Sequence, residues 1–485
     1  MLGIFTSRPA FVRPSCRSLV GGLLLLLATA ATSARAYVFN QVPSGLSGTD
    51  DNFGFSVSSL NTYLAVGVPQ CFFHYPGAGF VKGPGAPASG STAGWSPPET
   101  HGSGLVLFYN CQSGTCVQEQ DVSPPSSSDA CFGASVSLTN GGSTLFVGSP
   151  AYEYASFHAC FSVFQTCIML TFFPPSASDS EQNSGIVIGY YGCGTDNSCT
   201  YWGSWASSSA SDLLGFSLSS QGVGFIWPYY YTTWFVSGAP GAGSSPNIYG
   251  SFMIGVISAS GTAKSYVSFP SGLYGGMSIS SYYNSGSQFI FAASTSYYSG
   301  SVLAGAFLYY CSVSGSSNPS CTQSTRISIS GSSISSTSVT LSSNYLAVGA
   351  FQTSSLTGIV YVYPCSLSGS TPSCTASSAN ALNSLNPINN GYFGYQMDSA
   401  NTILAVAAPG ETAANIYLYS CSTASTCVSI GVVQASQVGL TNTAGVGAGL
   451  CVNGSASASD ISIAFGAPFV SSYLGVAYRV YESSK

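Results

Sequence analysis

The chain has 485 residues, of which 5% are charged and 45% are hydrophobic, and its formal net charge at neutral pH is −6. Globular proteins average ~25% charged residues, so Ser, Thr, Asn, Gly and Tyr must supply most of this surface. Nine basic residues are too few for the electrostatic footprint of a nucleic-acid-binding protein. The composition therefore argues against nucleic acid. A surface so poor in charge is consistent with an extracellular protein that meets neutral partners, glycans among them. An equally good explanation is a compositional bias of the lineage.

The first 36 residues have the three parts of a secretory signal peptide. A basic start with three arginines is followed by an apolar core over residues 19–31 and by the cleavage pattern Ala34-Arg35-Ala36. The apolar core is too short for a comfortable membrane span. Cleavage would leave residues 37–485 with five basic and fifteen acidic side chains, a net charge of −10, and no second apolar span. We predict a secreted or cell-surface protein without a transmembrane segment in its mature chain.

A three-strand pattern then recurs seven times. Each copy opens with an aromatic or apolar residue before glycine, continues with a small and apolar strand that ends near Gly-Ala-Pro, and adds an apolar and aromatic strand. The openings are Phe53-Gly54, Phe132-Gly133, Leu214-Gly215, Tyr274-Gly275, a degenerate Ser335-Ser336, Phe393-Gly394 and Val446-Gly447. The distance between openings, 53 to 82 residues, with about four strands per unit, is typical of a radial β array.

This pattern resembles the FG-GAP repeat, the blade of the seven-bladed β-propeller that heads integrin α chains. The resemblance implies an all-β fold in which seven four-stranded blades form one domain over residues 37–485. The last copy has only three strands before Lys485, whereas residues 37–43 form a strand without a blade of their own. We predict that the N-terminal strand completes the last blade and closes the ring, as in integrin heads, because an open blade would expose a sheet edge.

Long insertions follow the second strands of blades 1 and 2, between Pro69 and Gly104 and between Pro150 and Gly185. They should emerge on one face of the disc, beside the loops that lead from each fourth strand to the next blade. Long loops on a rigid scaffold often carry binding residues, and in integrin heads this face bears the ligand site. The candidate ligand-binding residues are Phe72, Phe73, His74, Tyr75, Trp95, Tyr152, Tyr154, Trp202 and Trp205. The alternative is Gly/Pro/Ser-rich decoration whose aromatic side chains pack on the rim.

The chain has sixteen cysteines, and ten of them form five pairs that follow the third strand of a blade. Four to nine residues separate the members of each pair: Cys111 and Cys116, Cys193 and Cys199, Cys311 and Cys321, Cys365 and Cys374, and Cys421 and Cys427. This recurrence predicts a disulfide across each hairpin, consistent with the secretory route, whereas the spacing lacks the usual zinc pattern. Cys160 and Cys167 are candidates for a further pair within one insertion. Cys16 belongs to the predicted signal peptide, and Cys71, Cys131 and Cys451 remain, so at least one of these three is free or intermolecular.

Calcium binding is not expected, and no other cofactor is predicted. Integrin blades often carry an Asp-rich loop between their first two strands, and Ca²⁺ takes about six to eight oxygen ligands, mainly from carboxylates. None of the corresponding loops here has more than one carboxylate, and Asp398 and Asp460 are the remnants.

Catalytic motifs are also missing from the sequence. The three histidines, His74, His101 and His158, all lie in the two insertions, and no G-x-S-x-G or H-E-x-x-H pattern occurs. We therefore expect the chain not to be an enzyme. Asn453-Gly454-Ser455 is the one N-glycosylation sequon, and chance occurrence is the other interpretation.

Three functions remain open. The leading hypothesis is an extracellular interaction or adhesion module whose contact face is built from the insertions of blades 1 and 2. A lectin is the first alternative, because FG-GAP propellers also occur as sugar-binding proteins, and a structural protein of a cell covering, cross-linked through a spare cysteine, is the second. A lectin should repeat similar aromatic pockets between blades, whereas an adhesion module should show one asymmetric patch.

Overall fold

The computed structural model is an all-β protein. It describes residues 37–46, 51–70, 103–112, 115–125, 131–139, 143–150, 157–161, 166–170, 185–194, 199–207, 212–222, 232–240, 242–244, 247–248, 250–258, 261–269, 273–285, 288–297, 304–313, 317–329, 337–351, 356–367, 371–377, 379–423, 426–441, 445–453, 461–470 and 474–482. The predicted signal peptide, residues 1–36, lies outside the described residues. No helix in the described ranges is long and apolar enough to cross a membrane.

Seven antiparallel sheets form the seven predicted blades. Blades 1 to 3 contain β2 (Ser56–Leu60), β3 (Tyr63–Val68), β4 (Leu105–Asn110) and β5 (Val117–Val122); β6 (Ser135–Thr139), β7 (Thr144–Ser149), β10 (Ile186–Tyr191) and β11 (Thr200–Ala206); and β12 (Ser217–Gly222), β13 (Thr233–Ala239), β16 (Ser251–Ser258) and β17 (Gly261–Ser268). Two small hairpins lie in the insertions of blades 2 and 3, namely β8 (Phe157–Phe161) with β9 (Thr166–Leu170) and β14 (Gly243–Ser244) with β15 (Asn247–Ile248).

The remaining blades follow the same order. They contain β18 (Leu273–Ser285), β19 (Gln288–Tyr297), β20 (Gly305–Ser312) and β21 (Ser320–Ser328) in blade 4; β22 (Ser338–Leu341), β23 (Tyr345–Ala350), β24 (Ile359–Ser366), β25 (Ser373–Cys374) and β26 (Asn380–Leu382) in blade 5; β27 (Met397–Ala400), β28 (Ile403–Ala408), β29 (Asn415–Thr423) and β30 (Thr426–Gln434) in blade 6; and β31 (Leu450–Asn453), β32 (Ser462–Ala467) and β33 (Val476–Glu482) in blade 7. The fourth strand of blade 5 is split, because β25 and β26 both pair with β24. A 3-10 helix, Ala435–Val438, follows β30.

The N-terminal strand closes the ring, as predicted. β1 (Tyr37–Val42) pairs antiparallel with β33, with Tyr37 opposite Glu482 and Val42 opposite Ala477. The first strands of the blades contact one another in cyclic order, and β31 of blade 7 meets β2 of blade 1. The last blade therefore has its fourth strand, and its third strand is not left as an open sheet edge.

The repeated glycines mark the contact between neighbouring blades. In five of the seven blades, a glycine of the second strand lies against the carbonyl oxygen of the opening glycine in the next blade, so that a Cβ atom there would stand 1.7–2.3 Å from that oxygen. The pairs are Gly67 with Gly133, Gly148 with Gly215, Gly238 with Gly276, Gly349 with Gly394 and Gly466 with Gly54. Only glycine permits so close an approach of two backbones. Five of the seven copies thus carry a glycine that marks a blade-to-blade contact, whereas β19 of blade 4 and β28 of blade 6 contain no glycine.

In blade 4 the opening pair is displaced by one residue from its predicted place. The positive φ of the opening glycine, +85°, belongs to Gly276 rather than to Gly275, and Gly276 O accepts a hydrogen bond of 2.8 Å from Ser217 Oγ of blade 3. The sheet register between β18 and β19 is irregular after Gly275. This irregularity moves the opening glycine by one residue. A repeat pattern in the sequence does not reveal such a move, because Gly275 and Gly276 are both glycines.

The hydrophobic core is divided among the seams between blades. The second strands are apolar on both faces because each blade is covered on two sides, and every residue of β7 and β28 is buried. Aromatic side chains cross the seams: Trp234 of blade 3 stacks on Phe289 of blade 4 with ring centroids 5.3 Å apart. Continuous apolar runs such as Leu404–Pro409 are typical of strands buried on both faces.

All five predicted hairpin disulfides are present, and each joins two strands of one blade. With their Cα–Cα distances, they are Cys111 with Cys116 (3.9 Å), Cys193 with Cys199 (4.3 Å), Cys311 with Cys321 (4.1 Å), Cys365 with Cys374 (4.0 Å) and Cys421 with Cys427 (4.2 Å). In blades 4, 5 and 6 the two cysteines also stand opposite one another in the sheet register. None of the five disulfides therefore holds two blades together.

The other cysteines have different surroundings. Cys131 is disulfide-bonded to a partner outside the residues whose side chains are described. The backbone register places Cys160 opposite Cys167 in the β8–β9 hairpin. Cys451 is the free cysteine in the described part of the chain.

Removal of one hairpin disulfide is expected to have a modest effect. The double variant that combines Cys421→Ser with Cys427→Ser removes a bond across a sequence separation of 6 residues and should lower the free energy of unfolding by ~2 kcal/mol through loop-closure entropy. The measurement is the thermal midpoint under non-reducing conditions. Cys451→Ser is the control, since serine occupies the equivalent position in four other blades, and it should melt close to the wild type. A collapse of the fold in the double variant would contradict a purely local role.

Candidate functional site

Most of the predicted ligand-binding residues fall in the two insertions. Phe72, Phe73, His74, Tyr75, Trp95, Tyr152 and Tyr154 lie outside the described residues, as do His101 and Asp460, and the side chain of His158 does too. Two members of the set, Trp202 and Trp205, can be placed. They lie in β11, the outermost strand of blade 2, which corrects the expectation that they belong to the loop leading to blade 3.

The two tryptophans differ in environment. Trp205 is 7% exposed and packs against Phe146 of its own blade and Phe235 of blade 3, with ring centroids 6.1 and 4.8 Å away. It is therefore part of the seam between blades 2 and 3. Trp202 is half-buried, and its ring meets that of Tyr191 edge-on at 6.3 Å. Of the two, only Trp202 is available to a ligand.

Trp202 is one of four partly or largely exposed aromatic residues on the outer strands of blades 2 and 3, which we call the aromatic rim patch (Tyr191, Tyr201, Trp202 and Tyr266). The three tyrosines are 45%, 48% and 42% exposed. Tyr191 and Trp202 contact one another on β10 and β11, and Tyr266 comes from β17 of the next blade. Among the described residues, these three tyrosines are the exposed large aromatic side chains, so the patch is confined to one sector of the disc.

A polar contact across the blade boundary fixes one member of the patch, Tyr266. Tyr266 donates a hydrogen bond of 2.8 Å from its hydroxyl to Ala206 O at the end of β11, and Lys264 Nζ lies 5.6 Å from the centroid of the Tyr266 ring. Burial and then the nearby Asp212 carboxylate raise the pKa of Tyr266. Aromatic rings fixed in this way can stack on the apolar face of a sugar or pack against apolar side chains of a protein.

On the axis of the molecule, seven equivalent residues of the first strands form an inter-blade ring: Ser58, Ser137, Ser219, Ser280, Thr340, Asp398 and Cys451. Six of them accept a backbone N–H from the next blade, at 2.9–3.1 Å for the serines, 2.7 Å for Asp398 and 3.2 Å for Cys451. Thr340 instead shares a hydroxyl hydrogen bond of 2.9 Å with Ser399. All seven line a central channel of about 210 Å³.

Asp398 and Cys451 interrupt this otherwise hydroxyl-bearing ring. The Asp398 carboxylate accepts the N–H of Val452 at 2.7 Å, and burial raises its pKa to about 6, although hydrogen bonds from Val452, Ser399 and Cys451 oppose the rise. Burial, and then the Asp398 charge, raise the pKa of the Cys451 thiol. Cys451 Sγ lies 3.2 Å from the N–H of Ser59 in blade 1. Its thiol is therefore a partner within the ring and is poorly placed for cross-linking to another chain.

Ionisation of Asp398 should make the stability of the protein depend on pH. A carboxyl whose pKa is raised from 3.8 to about 6 contributes its full stability below pH 4 and loses it as pH rises through 6, a difference of ~3 kcal/mol. Asp398→Ser should therefore be more stable than the wild type at pH 7.5 but not at pH 4. Thermal melts across this range, in choline chloride buffers of constant ionic strength, test this prediction. Parallel profiles for the two proteins would contradict it.

The seam between blades 7 and 1 contains a buried cation. The Arg479 side chain on β33 is 4% exposed and donates hydrogen bonds to Asn61 O at 2.7 Å and Thr62 O at 3.2 Å, in the turn between β2 and β3. Burial lowers its pKa. Asn453, the predicted glycosylation site, also donates to Asn61 O, at 3.3 Å. Glycosylation of Asn453 stays a prediction.

A second polar cluster lies in blade 6 and was not predicted. Glu411, 2% exposed, follows the Ala-Ala-Pro-Gly segment and accepts hydrogen bonds from Ser384, from Asn415 Nδ2 at 2.6 Å and from the Tyr417 hydroxyl at 2.6 Å. Burial and then the hydrogen bond to Glu411 raise the pKa of Tyr417. The cluster ties the connection before β27 to the loop before β29. The sequence feature that could have indicated this cluster is the acidic residue in the loop itself, because the chain has only fifteen acidic residues.

No metal centre is evident in the described part of the chain, where no three His, Cys, Asp or Glu side chains come together as ligands. The prediction that calcium is not bound at Asp-rich loops remains a prediction.

No family model matches the sequence, and no curated protein sequence matches it either. Several solved structures match in fold, including the following three. They are a candidate 6-phosphogluconolactonase from Bacteroides uniformis ATCC 8492 (TM-score 0.41, 8% identity, 77% of this chain and 90% of that chain); PorZ, a surface component of the type-IX secretion system of Porphyromonas gingivalis (0.42, 12%, 91% and 48%); and an α-L-arabinanase of Penicillium chrysogenum (0.37, 8%, 93% and 98%). The chain spans about half the length of PorZ.

These similarities are too distant to transfer a function, and the seven-bladed fold rests on the sheets themselves. They do contradict the prediction that the chain is not an enzyme. Two of the three similar structures carry the names of enzymes, and the prediction is withdrawn. The absence of catalytic sequence motifs does not exclude catalysis, because a propeller can assemble distant side chains on one face.

Proposed function

We propose that the chain is an FG-GAP-type propeller secreted as an extracellular interaction module, with the aromatic rim patch as part of its contact surface. The observation that carries this proposal is the concentration of exposed aromatic side chains in one sector, on the outer strands of blades 2 and 3. Interaction surfaces are enriched in Tyr and Trp relative to the rest of a protein surface. The five disulfides support an oxidising compartment.

The asymmetry of the patch favours an adhesion-type module over a lectin with repeated sites. Equivalent pockets between all blades would place exposed aromatic residues around the disc, whereas the described ones cluster at blades 2 and 3. Blade 2 also carries the second long insertion, which contains the β8–β9 hairpin. The blade-2 part of the contact face predicted from the insertions would thus belong to the same sector as the aromatic rim patch.

Glycan binding is the second candidate, and a specific feature favours it. Tyr191 and Trp202 present two rings edge-to-face at 6.3 Å, and Tyr191 is 45% exposed; a stacking platform for a neutral sugar needs such rings. A structural protein of a cell covering, cross-linked through Cys451, is less well supported, because the Cys451 thiol is already hydrogen-bonded within the inter-blade ring.

Binding of labelled residues 37–485 to cells of the source organism tests the proposal. We expect saturable binding that weakens at least about tenfold in the double variant that combines Tyr191→Ala with Trp202→Ala, the loss typical when central aromatic contacts are removed. Tyr361→Ala, at a half-buried tyrosine of blade 5, is the control. Equal binding by the double variant and the wild type would refute the assignment of the aromatic rim patch as a contact surface.

Periodate treatment of the cells separates the two candidates. Loss of binding after treatment, together with selective signals on a glycan array, would identify a sugar ligand. Binding that survives periodate but not protease treatment of the cells would identify a protein partner. The array is screened with and without calcium, so that a calcium-dependent signal would overturn the prediction that calcium plays no part.

A further inference from the structure

The central channel has an unusual charge distribution. Its lining comes from the first strands of all seven blades and includes nine Ser or Thr hydroxyls, the Gln396 amide, the Cys451 thiol and a single charged side chain, Asp398. The volume of about 210 Å³ is enough for several water molecules at ~30 Å³ each. The channel is therefore a polar cavity with one ionisable carboxylate on its wall.

A carboxylate is not required there for packing. Ser58, Ser137, Ser219 and Ser280 occupy the same position in other blades and accept the same backbone N–H from the next blade. Serine would complete the ring at blade 6 without placing a charge in a confined site. Burying a carboxylate costs free energy unless an opposite charge or strong hydrogen bonds compensate it. Its presence points to a ligand that uses the charge.

No side chain of the described part supplies the opposite charge. The groups that face Asp398 from neighbouring strands are the Cys451 thiol on β31 and the Tyr345 hydroxyl on β23, and both are neutral at pH 7. Arg479 lies beyond Cys451 and donates to the carbonyl oxygens of Asn61 and Thr62. At neutral pH the Asp398 carboxylate is therefore held by hydrogen bonds from the Val452 and Ser399 N–H groups and the Cys451 thiol, with no cationic side chain beside it in the described part of the protein.

We propose that the central channel binds a small monovalent metal cation, of the sodium or potassium class, beside Asp398. The carboxylate supplies one negative charge, and the channel hydroxyls and water supply neutral oxygen ligands, which hard cations prefer. One carboxylate balances one positive charge, whereas a divalent ion would leave the cavity with one uncompensated positive charge. Binding would join blades 6 and 7 on the axis, since Asp398 already bonds Val452 across that seam.

Thermal midpoints measured at pH 7.5 and constant ionic strength test this inference. We expect the midpoint of residues 37–485 to rise by a few degrees, and to saturate, as NaCl or KCl replaces choline chloride, because a ligand that binds only the folded state stabilises it. Asp398→Ser should lose the response. Asp121→Ser, the same change at an exposed acid of blade 1, should keep it. At pH 4 the wild type should lose it as Asp398 is protonated.

Three results would overturn the proposal. These are equal midpoints in sodium, potassium and choline, an undiminished response in Asp398→Ser, and a response to Ca²⁺ or Mg²⁺ alone. Asp398→Asn, which keeps the shape of the side chain, replaces the serine variant if that protein fails to fold. A crystal grown with rubidium gives a readout independent of stability: an anomalous peak in the channel at Asp398 supports the site, and a peak only elsewhere refutes it.

Discussion

Gly466→Ala is expected to lower the free energy of unfolding by ~3 kcal/mol or more, the upper range for overpacking a rigid contact. A Cβ atom on Gly466 would stand 1.7 Å from Gly54 O and 2.5 Å from Gly54 C. Both neighbours are backbone atoms, so neither can rotate away as a flexible side chain would. The contact joins blade 7 to blade 1, where the two ends of the chain complete the ring. Chemical denaturation of the variant and the wild type measures the loss.

Gly203→Ala is the matched control. Gly203 also lies within a strand, β11, but a Cβ atom there would meet only Trp205 ring atoms at 3.8 Å, an ordinary van der Waals distance. This variant should unfold within ~1 kcal/mol of the wild type. Equal stability of the Gly466 and Gly203 variants would show that the Gly-Ala-Pro glycines are not required for backbone contact between blades.

Arg479→Ala should also destabilise the ring at the seam between blades 7 and 1, by ~3 kcal/mol. The guanidinium makes two charge-assisted hydrogen bonds to the turn of blade 1, to Asn61 O and Thr62 O, and such bonds contribute ~1.5–3 kcal/mol each. The cost of burying the charge offsets part of that sum. The lost aliphatic stem and the contact with the Tyr481 ring, 5.2 Å from Cζ, add to the effect.

Arg479→Met separates the two contributions, because it keeps the packing of the stem and loses the charged hydrogen bonds. We expect its stability to fall between those of the alanine variant and the wild type. Hydrogen exchange should show faster opening of β2, β3 and β33 in both variants, with β18–β21 in blade 4 unchanged. An alanine variant that melts with the wild type would refute the role of Arg479 in closing the ring.

Several features of the fold could be predicted because their causes are local or repeated. The glycines of Phe53-Gly54 and Leu64–Pro69 are fixed by backbone contacts that recur at five of the seven seams, so the pattern survives where side chains vary. Each hairpin disulfide joins residues five to ten positions apart, as Cys111 with Cys116 and Cys311 with Cys321 show, and nearest-neighbour cysteines leave little ambiguity. The role of β1 follows from counting strands, since the last copy lacks one and residues 37–43 supply it.

The candidate sites depended on contacts that no sequence pattern encodes. Trp202 and Trp205 are three residues apart, but only the register of β11 and the presence of Phe235 from blade 3 make one half-exposed and the other a core residue. The cluster at Glu411 could not be predicted, because it forms only when the fold brings Ser384 and Tyr417 to the Glu411 carboxylate. The irregular register of β18 moved the opening of blade 4 by one residue.

The sequence by itself determined the number of blades, the closure of the ring and the hairpin disulfides, because each depends on repetition or on short separation along the chain. Only the tertiary structure decided the surroundings of Asp398, Cys451 and Arg479. Their partners come from neighbouring blades, and Ser59 is 392 residues from Cys451. Burial and charge compensation arise from neighbours that the closed ring brings together, so the charge in the channel becomes visible only when all seven blades are in place.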